Sequence, residues 1–347
     1  MGQHKHGGDI YTNAYRIDFS ANINPLGIPE SVCRAAQEAV LQCAAYPDVE
    51  YRALRRALAS KEAVKEAQII CGNGAAELIF AVTGALRPKK ALLMIPGFAE
   101  YEQALEVQGC ECVYYELKEA QGFAPGEDYL EALTKDLDMV FLCNPNNPTG
   151  MLTERGFVEK LLKRCREYQI RVVLDSCFID FLEKPEEADF SQLLEEFPNL
   201  FILKAFTKTY AMAGLRLGYG LCADENVLQS MRQVMQPWSV STVAQAAGEA
   251  ALRETAYVER ARSLVTGERQ WLKEQMRACS LTVYESEANY IFFRGPKDLG
   301  EKCAAQGFLI RDCSNYRGLC AGYYRIAVRT HRENEALIQA FRSICGA

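Results

Sequence analysis

The chain has 347 residues, 49% hydrophobic and 24% charged, with 24 glycines and 12 prolines, a composition that excludes disordered and fibrous classes and suits a large globular domain with a smaller companion. Lys and Arg number 39 against 45 Asp and Glu, a formal net charge of -6; with no basic tract, the chain lacks the phosphate-neutralising surface that nucleic acid requires. No window approaches ~20 consecutive apolar residues, which excludes a helical membrane span, and the opening MGQHKHGGDIYTN lacks the apolar core of a signal peptide, so a cytoplasmic location is expected.

The 14 cysteines are scattered without a CxxC pair, and Cys71, Cys143, Cys177 and Cys222 lie inside apolar runs as small reduced hydrophobes. His4 and His6 on the terminal arm do not make a metal set, and no metal is expected.

In chain order, residues 1–30 read as an arm. After His6-Gly7-Gly8 comes DFSANINPLGIPE, where Asn22, Asn24, Pro25, Gly27 and Pro29 specify turns. The spacing of Val32, Ala35, Ala36, Ala39, Val40 and Cys43 predicts a helix over 31–43, broken by Tyr46-Pro47-Asp48. A second helix, about 51–60, carries Leu54 and Leu58 on one face. A short apolar strand, 68–71, then feeds Gly72-Asn73-Gly74 and a helix starting near Ala75 and Ala76; such a turn presents free N–H groups and the positive end of a helix dipole, which suits a phosphate.

Strand and helix patterns alternate from there. KKALLMIPGF gives a strand to Ile95 followed by Phe98, CECVYYEL another, and DMVFLCNPNNPTG a strand 139–143 and a loop with Asn147. An amphipathic helix near 153–168 leads to a strand 171–174 ending at Asp175. A further apolar run, 200–203, delivers a loop holding Thr207 and Lys208, and eight residues later Arg216 stands between Gly214 and Gly218. The alternation predicts an α/β architecture, a mostly parallel sheet with helices on both faces. Ligands gather at the carboxyl ends of such strands, where Phe98, Asn147, Asp175 and Lys208 all fall.

From about Met231 the alternation weakens. A long helical stretch over 242–279, strands at LTVYE, NYIFFR, GFLIRDC and YYRIAVR, and a final helix over 333–344 predict a smaller α+β region. The expected division is an arm over the active site (1–30), a large cofactor-binding domain (31–235) and a small C-terminal domain (236–347). Arg311 and Arg325 follow or begin apolar strands, a place for charge where an anion meets it.

These side chains suit one cofactor. A lysine amine forms a Schiff base with an aldehyde, a carboxylate keeps a pyridine nitrogen protonated, Asn147 meets a phenolate oxygen, and Phe98 stacks on the ring. Gly74, the N–H groups of Ala75 and Ala76, Thr207 and Arg216 hold a phosphate. The inventory is that of pyridoxal 5'-phosphate, with Lys208 and Asp175 as the catalytic pair.

The segments GNGAAE, NPNNPTG, LDSCFIDF and TKTYAMAGLRLGY together resemble the fold-type-I aminotransferase superfamily, close to the histidinol-phosphate aminotransferases, almost from end to end. The resemblance implies a homodimer with shared active sites, in which Tyr46 reaches the neighbour's cofactor phosphate. HGG, DFSANINPLG, PGFAEY, FIDF, QPWSV and LIRDCSNYRGL before YYRIAVR are more similar to the threonine-phosphate decarboxylase family of cobamide biosynthesis. That likeness implies decarboxylation of L-threonine O-3-phosphate, a small phosphorylated amino acid held by His6, Gly7, Asn22, Asn147, Arg311 and Arg325. Arg325 would take the α-carboxylate, and His6, Asn22 and Arg311 lie where the phosphate is recognised. The sequence departs from the wider pattern at Ala205, where a hydroxyl residue is usual, at Ser176, where a glutamate is common, and at Phe178, where the histidinol-phosphate aminotransferases usually carry a tyrosine. The alternatives are a histidinol-phosphate-type aminotransferase using 2-oxoglutarate, a serine-phosphate decarboxylase, and a non-catalytic binding protein of the same fold, against which Lys208 and Asp175 argue.

Overall fold

In a computed structural model, which describes residues 6–12 and 15–346, the apolar runs form two sheets and a short extra pair; His4 lies outside the described residues. In chain order the strands are β1 (Ile17–Asp18), β2 (Ile69–Gly72), β3 (Lys90–Ile95), β4 (Glu111–Glu116), β5 (Met139–Cys143), β6 (Arg171–Asp175), β7 (Leu200–Ala205) and β8 (Gly218–Cys222). In the C-terminal part follow β9 (Thr282–Val283), β10 (Tyr290–Arg294), β11 (Phe308–Leu309), β12 (Arg311–Asp312) and β13 (Tyr323–Ala327).

The large sheet has the order β2-β8-β7-β6-β5-β3-β4, and only β8 runs antiparallel to its neighbours. Because side chains alternate across a strand, successive residues feed opposite layers. Val140, Leu142, Val172, Leu174, Leu200 and Ile202 pack with Val158, Leu161 and Leu162 of the helix Arg155–Glu167. Phe141, Val173, Phe201 and Leu203 pack with Leu78, Ile79 and Val82 of the helix Gly74–Leu86. Helices therefore cover both faces, as the alternation implied. The register aligns Cys143 with Asp175 and Asp175 with Leu203, so β5, β6 and β7 end along one edge, and the loops after them share one space.

The smaller sheet, β12-β13-β10-β9, is antiparallel. The arm is tied to this part of the chain: β1 pairs parallel with β11, and the Ala327 amide donates to the Phe19 carbonyl at 2.7 Å. Ser20 to Asn22 are thereby drawn across the edge where the large sheet's strands end.

Three local expectations need correction. The helical stretch over 242–279 is two helices, Thr242–Ala251 and Thr255–Ala278. Between them Arg253 and Glu254 make tighter bonds to carbonyls three residues back, at 3.1 and 3.0 Å, and Glu254 receives the Ser31 hydroxyl. No glycine or proline marks this break, so helical periodicity runs straight through it. GFLIRDC is two strands, β11 and β12, serving different partners on either side of Ile310. Thr207 and Lys208 sit on a single helical turn, Phe206–Thr209, rather than in an open loop. Among the described residues no helix is long and apolar enough to cross a membrane.

Candidate active site

The strand ends, the arm and β12–β13 enclose a cavity of about 500 Å³. Its floor is made where backbone meets backbone. Gly74 opens its helix at φ 81, a conformation L-residues rarely take, and a Cβ there would lie 2.3 Å from Nη2 of Arg216. A Cβ on Gly218 would lie 2.5 Å from the Ala75 nitrogen. These two glycines let the Arg216 guanidinium and β8 close against the helix start, whose first N–H groups have no intrahelical partner. Arg216 is itself left-handed, at φ 57, with Nη1 donating to the Ala213 carbonyl at 3.2 Å. Ala75, Ala76, Thr207 and Arg216 all line the cavity here. Ala205 lines it too and contributes no hydroxyl.

Above this floor, Asp175 ends β6 with both carboxylate oxygens engaged. Oδ1 accepts from the Cys177 amide at 2.9 Å and Oδ2 from the Tyr101 hydroxyl at 2.5 Å. Lys208 points its amine to within 5.9 Å of the Phe178 ring centroid. Burial, with the positive charges of Arg325 and Arg216, pulls its pKa down to about 8, while Cys177 and Asp175 act in the opposite sense. Phe98 lines the same space, packed edge-on against Tyr101 at 5.5 Å.

The outer part is strongly basic. Arg311 and Arg325 are cross-strand partners on β12 and β13, only 7% and 6% exposed, and both line the cavity. Arg325 donates from Nη1 to Oδ1 of Asn147 and from Nη2 to the Ser20 carbonyl at 3.0 Å. Among the described residues its buried Nε has no hydrogen-bond partner, nor has the buried Oδ1 of Asn22. Arg311 donates from Nη2 to Oδ1 of Asn315 at 2.8 Å and lies over the Tyr316 ring at 5.1 Å. With Oδ1 of Asn147 taken by Arg325, its Nδ2 is what that residue offers the cavity. His6 faces Glu100 at 3.3 Å, and Gly7 sits so close to Ser20 that a Cβ would fall 2.2 Å from its carbonyl oxygen. Counting Lys208, Arg216, Arg311, Arg317 and Arg325 against Glu100, Glu102 and Asp175, cations outnumber carboxylates in a chain that is acidic as a whole. Such a pocket attracts a multiply anionic ligand whatever the net charge.

Of the residues singled out from sequence, the cavity brings together His6, Gly7, Asn22, Ala75, Ala76, Phe98, Asn147, Asp175, Thr207, Lys208, Arg216, Arg311 and Arg325. Gly74 lies behind the floor, against Arg216. Tyr46 is elsewhere: 83% exposed and stacked on Trp238 with centroids 4.8 Å apart. Sequence reasoning passed over Tyr101, Tyr316, Glu100, Glu102, Arg317 and Cys177, all of which line the cavity. Tyr101 had a signal, since it follows Phe98 by three residues at the start of a helix and so shares its face.

The family described as aminotransferase class I and II matches residues 15–341. Threonine-phosphate decarboxylase of Salmonella typhimurium is 41% identical across 98% of this chain and 96% of its own length. Among solved structures, the histidinol-phosphate aminotransferase from Clostridium acetobutylicum superposes with a TM-score of 0.90 at 28% identity, covering 95% of this chain and 99% of the other. The L-threonine-O-3-phosphate decarboxylase from Porphyromonas gingivalis gives 0.83 at 26% identity, over 95% and 99%.

Proposed function

The chain belongs to the class I and II aminotransferase family, and from that premise we propose that it is a carboxy-lyase that converts L-threonine O-3-phosphate into CO2 and (R)-1-aminopropan-2-ol O-2-phosphate for cobamide biosynthesis. The cofactor is pyridoxal 5'-phosphate, which when bound supplies an aldehyde for the lysine amine and a cationic ring that accepts electrons from the bond being broken. The residues present fit it: Gly74 and Gly218 leave space where a Cβ would intrude, the free helix-terminal N–H groups, Thr207 and Arg216 would hold its phosphate, and the buried Asp175 carboxylate would serve its ring nitrogen.

The observation that carries the reading is the pair Arg311–Arg325. Two buried guanidiniums directly opposite on neighbouring strands repel, and in the same cavity as Lys208 they suit a guest with two anionic ends. Arg325, fixed by Asn147 and Ser20, takes the α-carboxylate; Arg311, with His6 and Asn22, takes the phosphate. Holding both ends sets the rotation about Cα. With Arg325 on the carboxylate and Arg311, His6 and Asn22 on the phosphate, the two contacts together would orient the substrate so that the C–CO2 bond, rather than C–H, is the one activated. The carboxylate leaves as CO2, its bonding electron pair stays with Cα, and a proton delivered to Cα completes the phosphorylated amine. Lys208, whose amine lies in the same cavity, would be the group that holds the cofactor between turnovers.

Phe178 supports lysis over transamination, since its ring presents no hydroxyl to the cofactor's phenolate oxygen. A histidinol-phosphate aminotransferase is the second reading, favoured by the 0.90 superposition. The exposed Tyr46, Trp238, Val40 and Leu41 support a pairing of two copies that would cover them and bring Tyr46 to the neighbour's site. Fourteen unpaired cysteines suit a reducing cytoplasm. Mass spectrometry of products from threonine phosphate, serine phosphate and unphosphorylated threonine tests the substrate: the first is expected to give the aminopropanol phosphate, and equal turnover of unphosphorylated threonine would overturn a role for the phosphate.

A further inference from the structure

Asp175 is 6% exposed, and among the described residues no lysine or arginine forms an ion pair with it. Two neutral donors reach its oxygens directly, the Cys177 amide at 2.9 Å and the Tyr101 hydroxyl at 2.5 Å, while the buried Lys208 amine and the Cys177 thiol act on it as neighbours. Hydrogen bonds to both oxygens of a buried carboxylate fix its orientation. Tyr101 is 5% exposed and has no freedom to turn away: its ring stacks on Phe141 of β5 at 4.7 Å with planes 18° apart, and meets Phe98 edge-on. The helix Ala99–Val107, which begins directly after Phe98, fixes where the hydroxyl falls.

We infer that Tyr101 is a positioning residue: together with the Cys177 amide it fixes the Asp175 carboxylate in one plane, and thereby sets how that carboxylate meets the cofactor's ring nitrogen and shares its proton. This rests on the cofactor reading given above. With Tyr101 present, both oxygens of Asp175 are satisfied on the protein side, each keeping a lone pair for the ring. Without it, Oδ2 loses its protein donor and the carboxylate its fixed plane, so its hydrogen bond to the ring nitrogen would weaken. The ring then accepts electrons less well. Nothing in this chain of effects requires Tyr101 to touch the substrate.

Tyr101→Phe removes one oxygen and preserves both ring contacts. Holoenzyme loaded with cofactor ¹⁵N-labelled at the ring nitrogen provides a readout that packing alone does not move. Wild type is expected to show a protonated ring nitrogen, and Tyr101→Phe a signal displaced toward the unprotonated value, with kcat lowered about 10- to 100-fold and KM within about threefold. Phe141→Leu, which loosens the stack but keeps the hydroxyl, is expected to leave the nitrogen signal where wild type has it. An unchanged signal in Tyr101→Phe, or an equal displacement in Phe141→Leu, overturns the inference. Absence of any lysine-bound cofactor in wild type would instead overturn the cofactor reading itself, so the two failures are distinct.

Discussion

Arg311 and Arg325 face each other across β12 and β13, both buried and both in the cavity that holds Lys208. A pair of like charges in that position costs stability, and an anion bound between them offsets it. Arg311→Ala is therefore expected to cost the apoprotein little stability while raising KM for threonine phosphate about 100-fold, the scale of a lost charge-assisted contact of about 2–3 kcal/mol. Cofactor affinity should change less than about threefold. Separate titrations of cofactor and substrate check this; a parallel loss of both would place Arg311 with the cofactor.

Lys208→Met is expected to abolish both turnover and the absorption band of lysine-bound cofactor. It should also stabilise the apoprotein. The folded-state pKa of about 8 lies below the unfolded value near 10.5, so the penalty for burying the ammonium is fully present below pH 8 and fades as pH rises to 10.5. The gain in unfolding free energy is expected at about 1–3 kcal/mol at pH 7, reduced because the amine faces cavity water, and negligible near pH 11. Denaturant unfolding at the two pH values checks it.

The same depression governs cofactor capture, because only the neutral amine attacks an aldehyde. The rate at which apoenzyme takes up pyridoxal phosphate should rise with pH to a half-maximum near 8. In Arg325→Gln the midpoint should move upward, since a positive neighbour is lost, yet stay below 10.5 because burial, the larger cause, remains. Stopped-flow absorbance across pH 6–10 reads both midpoints.

Gly74→Ala introduces a Cβ 2.3 Å from Nη2 of Arg216 at a residue with φ 81. The arginine head can move aside, so the protein should fold with a loss of about 1–2 kcal/mol from backbone strain. The displaced guanidinium should weaken cofactor binding at least about tenfold. Gly218→Ala meets backbone at Ala75 instead, 2.5 Å away, and should cost more stability than Gly74→Ala. Paired thermal melts and cofactor titrations separate the two.

Much of this site was legible in the sequence because parallel strands that end in register bring their following loops together. Phe98, Asn147, Asp175 and Lys208 share a cavity for that reason, although 110 positions separate Phe98 from Lys208 in the numbering. The β12–β13 pairing was not legible: two arginines in separate apolar strands look independent until the register sets Arg311 against Arg325. Nor was the tie between the arm and β11, since Ile17 and Phe308 are distant in the chain and two-residue strands carry no periodicity. Tyr101 was passed over because a tyrosine on an amphipathic helix is ordinarily core, and only the hydroxyl's contact with Asp175 distinguishes it. The break after Ala251 lacks any breaker residue and is set by packing against the N-terminal helix Glu30–Val40 and its Ser31 hydroxyl.

The central claim is that the phosphate-binding end of the cavity selects the C–CO2 bond. Purified enzyme, pyridoxal phosphate and threonine phosphate, with no oxo acid added, are the direct test, followed by CO2 release and product mass. One CO2 per phosphorylated amine formed, unaffected by adding 2-oxoglutarate, is the expected result. No CO2, together with turnover of histidinol phosphate only when 2-oxoglutarate is supplied, would contradict it and leave an aminotransferase.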